Sequence, residues 1–190
     1  MAVAPTPSIE DQPVFYYDLG VPACYLMAER IMGTLPAVPE WEPVLGSGFG
    51  GAAGTPDRHE LEALATGAGL QPVRWPERWP PDTREAMLAA TYAKRIGRAV
   101  AFSLAAFRQA FAAGRDLGDE DTVLIAGAAC EMHPSALLKG MSLRSVAEAL
   151  ESATERARLA GARSLPALQV GGELFDGDDA LDRATLALAR

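Results

Sequence analysis

Cysteine and histidine are scarce in this chain, which has only two of each among its 190 residues. These four residues are too dispersed to form a Cys/His cluster with metal-ligand spacing, so no metal site is expected. Acidic residues outnumber basic ones, 25 to 17, and the net charge of −8 argues against a nucleic-acid partner. No apolar run approaches the roughly 20 residues of a membrane-spanning helix. The composition therefore favours a globular domain with neither kind of partner.

The N-terminal stretch, Met1 to Pro13, is rich in proline and lacks both the basic and the apolar region of an export signal. It predicts a disordered arm over residues 1–12 and a cytoplasmic protein. In a reducing compartment, Cys24 and Cys130 are expected to stay as two free thiols instead of forming a disulfide.

A short aromatic run, Val14 to Tyr17, has the composition of a β-strand, and Pro22 then opens a helical pattern that ends near Gly33. The first turn of this predicted helix contains Cys24. Unpaired N–H groups and the positive end of the helix dipole at such a tip stabilise an anion or a thiolate. A second, short strand is predicted within residues 38–45, followed by a glycine-rich connecting loop over residues 46–54 and a helix over residues 57–68.

Four prolines and two tryptophans follow in residues 69–81, which are expected to be extended and irregular. The aromatic side chains of Trp75 and Trp79 could line a groove, or they could fill the seam between two layers. Both alternatives predict burial, so the sequence leaves them open.

Residues 83–160 show apolar residues at helical spacing and predict a block of four to five helices, with Gly97 dividing one long stretch in two. Strand signals return after Gly161: a β-run over residues 164–170, a two-residue turn, a partner strand and a last helix that begins after Asp179. The order β-α-β, helices, β-β-α predicts an α/β thioredoxin fold with a large all-helical insertion. We assign residues 13–82 and 162–190 to the thioredoxin-like domain and residues 83–161 to the insertion.

Several motifs carry a resemblance that covers nearly the whole chain. They are the strand and helix tip, the runs at residues 41–46 and 80–83, the helical block, Leu165-Pro166, and residues 170–179. Together they resemble the DsbA-like thioredoxin superfamily, and most closely its branch of 2-hydroxychromene-2-carboxylate isomerases and kappa-class glutathione transferases. The resemblance implies glutathione as a cofactor, a small-molecule substrate and a homodimer.

The resemblance also assigns roles to residues. Pro166 matches the family's cis-proline, and the backbone of Leu165 before it would bind a thiol peptide as an added strand. Asp178 and Asp179 match the helix start that holds the γ-glutamyl end of glutathione, although two aspartates there could equally be an ordinary helix cap. Asp82 stands where the branch usually carries asparagine near the active site.

The chain departs from the family at the helix tip. Val21 occupies the position of the serine that hydrogen-bonds the glutathione thiolate, or of the reactive cysteine in the oxidoreductases, and Pro22 follows it. Cys24 matches the second, resolving cysteine. With no first cysteine, the sequence favours Cys24 as a small buried residue.

Three hypotheses follow. A glutathione-dependent isomerase or transferase predicts a partly apolar pocket between Val21, Pro166 and the segment of Trp75 and Trp79. A thiol-disulfide oxidoreductase predicts an exposed Cys24. A non-catalytic member of the family predicts a filled helix tip and no turnover.

Overall fold

The structure is a computed structural model that describes residues 12–49, 57–177 and 179–189. The arm predicted over residues 1–12, except its last residue, lies outside this range, as do residue 178 and the part of the glycine-rich loop after residue 49. In chain order the strands and helices are β1 (Val14–Tyr17), α1 (Pro22–Thr34), β2 (Glu40–Pro43), α2 (Arg58–Gly67), α3 (Arg84–Arg95), α4 (Ala99–Phe111), α5 (Glu120–Ala129), α6 (Pro134–Met141), α7 (Arg144–Leu159), β3 (Ala167–Val170), β4 (Glu173–Asp176) and α8 (Ala180–Leu188).

The sheet has four strands in the order β2-β1-β3-β4. Strand β1 pairs in parallel with β2, while β3 runs antiparallel to both β1 and β4. The β-α-β and β-β-α halves flank a run of helices, so the predicted α/β thioredoxin fold with a helical insertion is confirmed. Among the described helices, none is both long and apolar enough to cross a membrane.

Alternate residues of β1 pack on opposite faces of the sheet. Phe15 and Tyr17 are fully buried against Trp41 and the helices of the main core, with Tyr17 5.9 Å from Phe107 of α4 between ring centroids. Tyr16 points the other way and joins a smaller cluster that includes residues of α7. This period of two explains why four consecutive large residues can all be accommodated in the central strand.

The helical block has five helices, α3 to α7. Gly97 separates α3 from α4 as predicted, and its φ of +73° lies in the left-handed region that glycine adopts without strain. The sequence did not resolve α6, although Pro134 at its first position and His133 as its cap are ordinary start signals. At eight residues, α6 is too short to show a helical period clearly.

Candidate functional site

The site begins at the tip of α1. Val21 is the N-cap residue in an extended conformation, with φ −99° and ψ 112°, and its side chain makes no capping hydrogen bond. Pro22 occupies the first helical position, as predicted, and contributes no N–H group. The first turn therefore presents backbone groups and the positive end of the helix dipole, and no reactive side chain stands at position 21.

A cavity of about 720 Å³ opens beside Val21. Its apolar wall includes Phe49 and Trp79, and its polar wall includes Asp82 and Arg84. Three of the residues predicted for the site, Val21, Trp79 and Asp82, thus line one cavity. The Asp82 carboxylate is exposed and accepts a hydrogen bond from the backbone N–H of Arg84 at 3.2 Å.

Pro166 does not line that cavity. The Leu165–Pro166 peptide bond is cis, as the family resemblance implies, and Pro166 instead lines a hollow of about 70 Å³ with Ala23, Leu26 and neighbouring apolar residues. The pocket predicted between Val21, Pro166 and the segment of Trp75 and Trp79 therefore includes Val21 and that segment, whereas the inclusion of Pro166 was wrong. The first turn of α1 stands between the two depressions, because Val21 faces one and Ala23 faces the other.

The sequence left open whether the two tryptophans line a groove or fill a seam between layers, and the structure gives a different answer for each. Trp79 lines the cavity and is partly buried. Trp75 packs edge-on between Trp79 and Phe111, with ring centroids 5.1 and 6.3 Å away, and the guanidinium of Arg58 lies 4.6 Å above its ring. Trp79 is thus a groove residue, whereas Trp75 fills a seam.

Cys24 is completely buried, so the prediction of an exposed thiol, which the oxidoreductase hypothesis requires, was wrong. Its side chain faces inward from the first turn of α1. Burial raises the pKa of this thiol well above its ordinary value, and hydrogen bonding to the backbone of Asp18 offsets only part of the rise. Cys130 is also buried, and both cysteines are free. The sequence-based expectation of two reduced thiols, with Cys24 as a small core residue, agrees with this arrangement.

The predicted γ-glutamyl contact is described only for Asp179, since Asp178 lies outside the described residues. The Asp179 side chain makes no capping hydrogen bond to α8. It forms an ion pair with Arg183 at 3.2 Å and is 70% exposed, which leaves room for a further hydrogen-bond donor. An ordinary side-chain cap does not account for this aspartate.

Sequence reasoning missed several residues of the cavity wall, among them Phe49, Arg84 and one buried carboxylate. Asp18, directly after β1, is 4% exposed and its carboxylate accepts hydrogen bonds from Gly20 N and Gly46 N, both at 2.7 Å. Burial raises the pKa of this carboxyl, while the hydrogen bonds oppose the rise. An acidic residue directly after an otherwise apolar strand and two residues before a glycine was the available signal.

Within the described part of the chain, no three His, Cys, Asp or Glu side chains are grouped so that they could hold a metal ion. The two histidines are exposed, and His133 caps α6 through a hydrogen bond from Ser135 N.

Comparison with known proteins agrees with this fold. A model of the DSBA-like thioredoxin domain matches residues 58–189, which is more than half of the chain. No curated protein matches the sequence significantly. Among solved structures, a 2-hydroxychromene-2-carboxylate isomerase is similar with a TM-score of 0.80 and 18% identity, over 94% of each chain.

Two further structures are similar. A probable DsbA oxidoreductase from Streptomyces coelicolor has a TM-score of 0.74 at 17% identity, over 94% of this chain and 88% of its own. The cytosolic disulfide reductase DsbM from Pseudomonas aeruginosa, in a structure with GSH, has a TM-score of 0.66 at 15% identity, over 94% and 97%. At such identities the likeness demonstrates a shared fold alone.

Glutathione fits the residues present in part. The cis peptide before Pro166 presents the backbone of Leu165, whose N–H and C=O groups have no hydrogen-bond partner among the described residues. A tripeptide could use both groups as an added strand. The tip of α1 offers its dipole to the thiolate, but Val21 offers no donor. The chain therefore fits the peptide part of glutathione better than its sulfur.

Proposed function

Because the chain belongs to the DSBA-like thioredoxin domain family, we propose that it binds glutathione or a similar thiol at the N-terminus of α1 and acts on a small aromatic molecule, as an isomerase or transferase. The observation that carries the proposal is the position of the α1 tip on the wall of a cavity of about 720 Å³. The size is within the range of small-molecule sites. Likeness to the isomerase and to DsbM with GSH supports the choice of ligand.

In this proposal, bound glutathione supplies the thiolate nucleophile. The dipole of α1 would favour the ionised sulfur by about 0.3–1 kcal/mol, and the backbone of Leu165 would orient the peptide. Phe49 and Trp79 give the aromatic partner an apolar wall beside the sulfur. Asp179 would accept from the γ-glutamyl ammonium group, with Asp178 as its neighbour in the sequence.

The test is a calorimetric titration of glutathione against the wild-type chain, Val21→Ser and Val38→Ser. Val38 is 66% exposed and serves as a matched valine-to-serine control. We expect the wild type to bind and Val21→Ser to bind roughly ten to a hundred times more tightly, because a hydrogen bond to a charged group contributes about 1.5–3 kcal/mol. Val38→Ser should bind like the wild type. Absence of heat from both the wild type and Val21→Ser would overturn the proposal.

A non-catalytic binding protein is the second candidate. It is favoured by Val21, which has neither a nucleophile nor a donor, and by the burial of Cys24. Turnover distinguishes the two: an enzyme should isomerise 2-hydroxychromene-2-carboxylate, or conjugate an aromatic electrophile, faster with glutathione and protein than with glutathione alone. A chain that binds glutathione but accelerates neither reaction would be the non-catalytic member.

The resemblance also implies a cytoplasmic homodimer. Both remain predictions, which cell fractionation and analytical ultracentrifugation of the full chain would test.

A further inference from the structure

The Asp18 carboxylate joins three chain segments that are distant in sequence. Its Oδ1 atom accepts from Gly20 N at 2.7 Å and from the Thr83 hydroxyl at 3.0 Å. Its Oδ2 atom accepts from Gly46 N at 2.7 Å. Gly20 precedes the tip of α1, Gly46 follows β2, and Thr83 is the N-cap residue of α3. One buried side chain therefore connects the loops at the ends of β1 and β2 with the start of the helical block.

Each of these three segments lines the cavity beside Val21. Gly20 and Val21 form one part of the wall, Gly46 and Phe49 another, and the segment through Thr83 a third. The sheet positions β1 and β2 relative to each other, but Thr83 lies beyond a long irregular connection. The bond between Thr83 and Asp18 is thus a direct link between that third part of the wall and the tip of α1.

The contacts around the carboxylate leave little space for movement. A Cβ atom at Gly46 would lie 3.1 Å from Asp18 Oδ2, and one at Gly20 would lie 2.7 Å from the Thr83 methyl group. A side chain at Gly20 would therefore displace Thr83, and one at Gly46 would press on the Asp18 carboxylate. Short hydrogen bonds of a charged acceptor inside such packing are among the strongest available to a protein.

We propose that Asp18 is a positioning residue of the ligand site: it holds the tip of α1, the loop after β2 and the start of α3 in the one arrangement that forms the cavity. This inference rests on the proposed function for the identity of the ligand, but not for the positions of the three segments. It assigns to Asp18 an action through Gly20, Gly46 and Thr83 rather than contact with the reacting atoms.

The test uses substitutions at Asp18 and at Thr83. Asp18→Asn retains the shape but places an NH₂ group where one backbone N–H now donates. Thr83→Val replaces the hydroxyl with a methyl group, and Thr83→Ser, which keeps the hydroxyl, is the conservative variant. Asp116→Asn is the matched control, because Asp116 accepts from Gly118 N, also two residues on, at 2.8 Å and does not line this cavity.

Amide hydrogen exchange gives the readout that does not depend on any ligand. We expect the amide that faces the new NH₂ group in Asp18→Asn, that of Gly20 or of Gly46, to exchange about ten to a hundred times faster, as the loss of a hydrogen bond to a charged group implies. Amides in the centre of α4 should keep their wild-type protection. Uniform loss of protection throughout the core, or unchanged exchange at both glycines, would overturn the proposal.

Glutathione titration is the second readout. In folded protein, Thr83→Val should bind at least about tenfold more weakly, while Thr83→Ser and Asp116→Asn should bind like the wild type. Faster local exchange with unchanged affinity would contradict a role in the ligand site. If the wild type itself does not bind glutathione, the proposed function fails, whereas the exchange rates still decide whether Asp18 holds the three segments.

Discussion

The reactivity of Cys24 separates the oxidoreductase hypothesis from the other two. The expected rate of its alkylation follows from the burial of the thiol. An ordinary free thiol has a pKa of about 8.5, so roughly a tenth of it is ionised at pH 7.5. Burial raises the pKa of Cys24 well above that value, which reduces the thiolate further. The side chain is also 0% exposed, so an alkylating reagent reaches it only after an opening of the structure.

The free energy of this opening determines how much more slowly Cys24 reacts in the native protein. Core segments open with free energies that approach the global stability of about 5–15 kcal/mol, and each 1.4 kcal/mol is a factor of ten in population. We therefore expect Cys24 in the native chain to react with iodoacetamide at least about a thousandfold more slowly than in the unfolded chain. The thiol should react at its ordinary rate once urea has unfolded the protein.

The assay is time-resolved alkylation at pH 7.5, with each site followed by mass spectrometry of its peptide. Cys130 is an internal comparison, because it is 5% exposed and the charge of Arg98 partly offsets the rise that burial causes in its pKa. It should react faster than Cys24 does. A native Cys24 whose rate lies within tenfold of the unfolded chain would refute the argument from burial and restore the single-thiol oxidoreductase.

Three further predictions concern stability. Burial raises the pKa values of Cys24 and Tyr17 in the folded state, so the stability that their neutral forms contribute is complete below the ordinary pKa of each group and is lost as pH rises through its folded-state value. The urea midpoint of unfolding should therefore fall above about pH 8.5, and it should fall less in Cys24→Ala. Tyr17 and Ser103 share a buried hydrogen bond of 2.6 Å between their hydroxyls. Tyr17→Phe should therefore lower the free energy of unfolding by about 1–3 kcal/mol, and by much less in a Ser103→Ala background. Equal losses in both backgrounds would contradict the pairing. Gly140→Ala should destabilise the folded protein by about 1–3 kcal/mol, because its Cβ would overlap the Tyr92 ring. Gly67 has open space around it, so Gly67→Ala should be neutral or stabilise the protein by up to about 1 kcal/mol in thermal unfolding.

The fold was predictable because its signals are local. The aromatic run of β1, Pro22 at the start of α1 and the Gly171-Gly172 turn between β3 and β4 each specify their neighbours through backbone geometry within a few residues. The cis-proline at 166 was predicted by resemblance, since no local property of Leu165 and Pro166 requires it.

The candidate site was predictable only in part, because its parts meet across long stretches of sequence. Trp79 and Val21 line one cavity, yet nothing in either residue type indicates which side of α1 the other would occupy. Asp18 and Thr83 are 65 residues apart, and their hydrogen bond depends on where the helical block begins on the sheet. The division between the cavity and the hollow at Pro166 likewise depends on which way the first turn of α1 faces.

The unusual residue at the tip of α1 removes a side-chain donor from the site and leaves the backbone groups around it in place. Valine suits the extended conformation of an N-cap residue because its β-branched side chain favours that region, although the absent capping oxygen costs about 0.5–2 kcal/mol relative to serine. Asp18 accepts hydrogen bonds from Gly20 N and Gly46 N beside the start of α1, but it does not replace the missing cap. The helix dipole and the backbone groups of Leu165, which have no partner within residues 12–49, 57–177 and 179–189, do not depend on the side chain at position 21. In the proposed complex with glutathione, valine in place of serine removes one hydrogen bond to sulfur and leaves the peptide contacts, so affinity should fall before specificity for the peptide is lost.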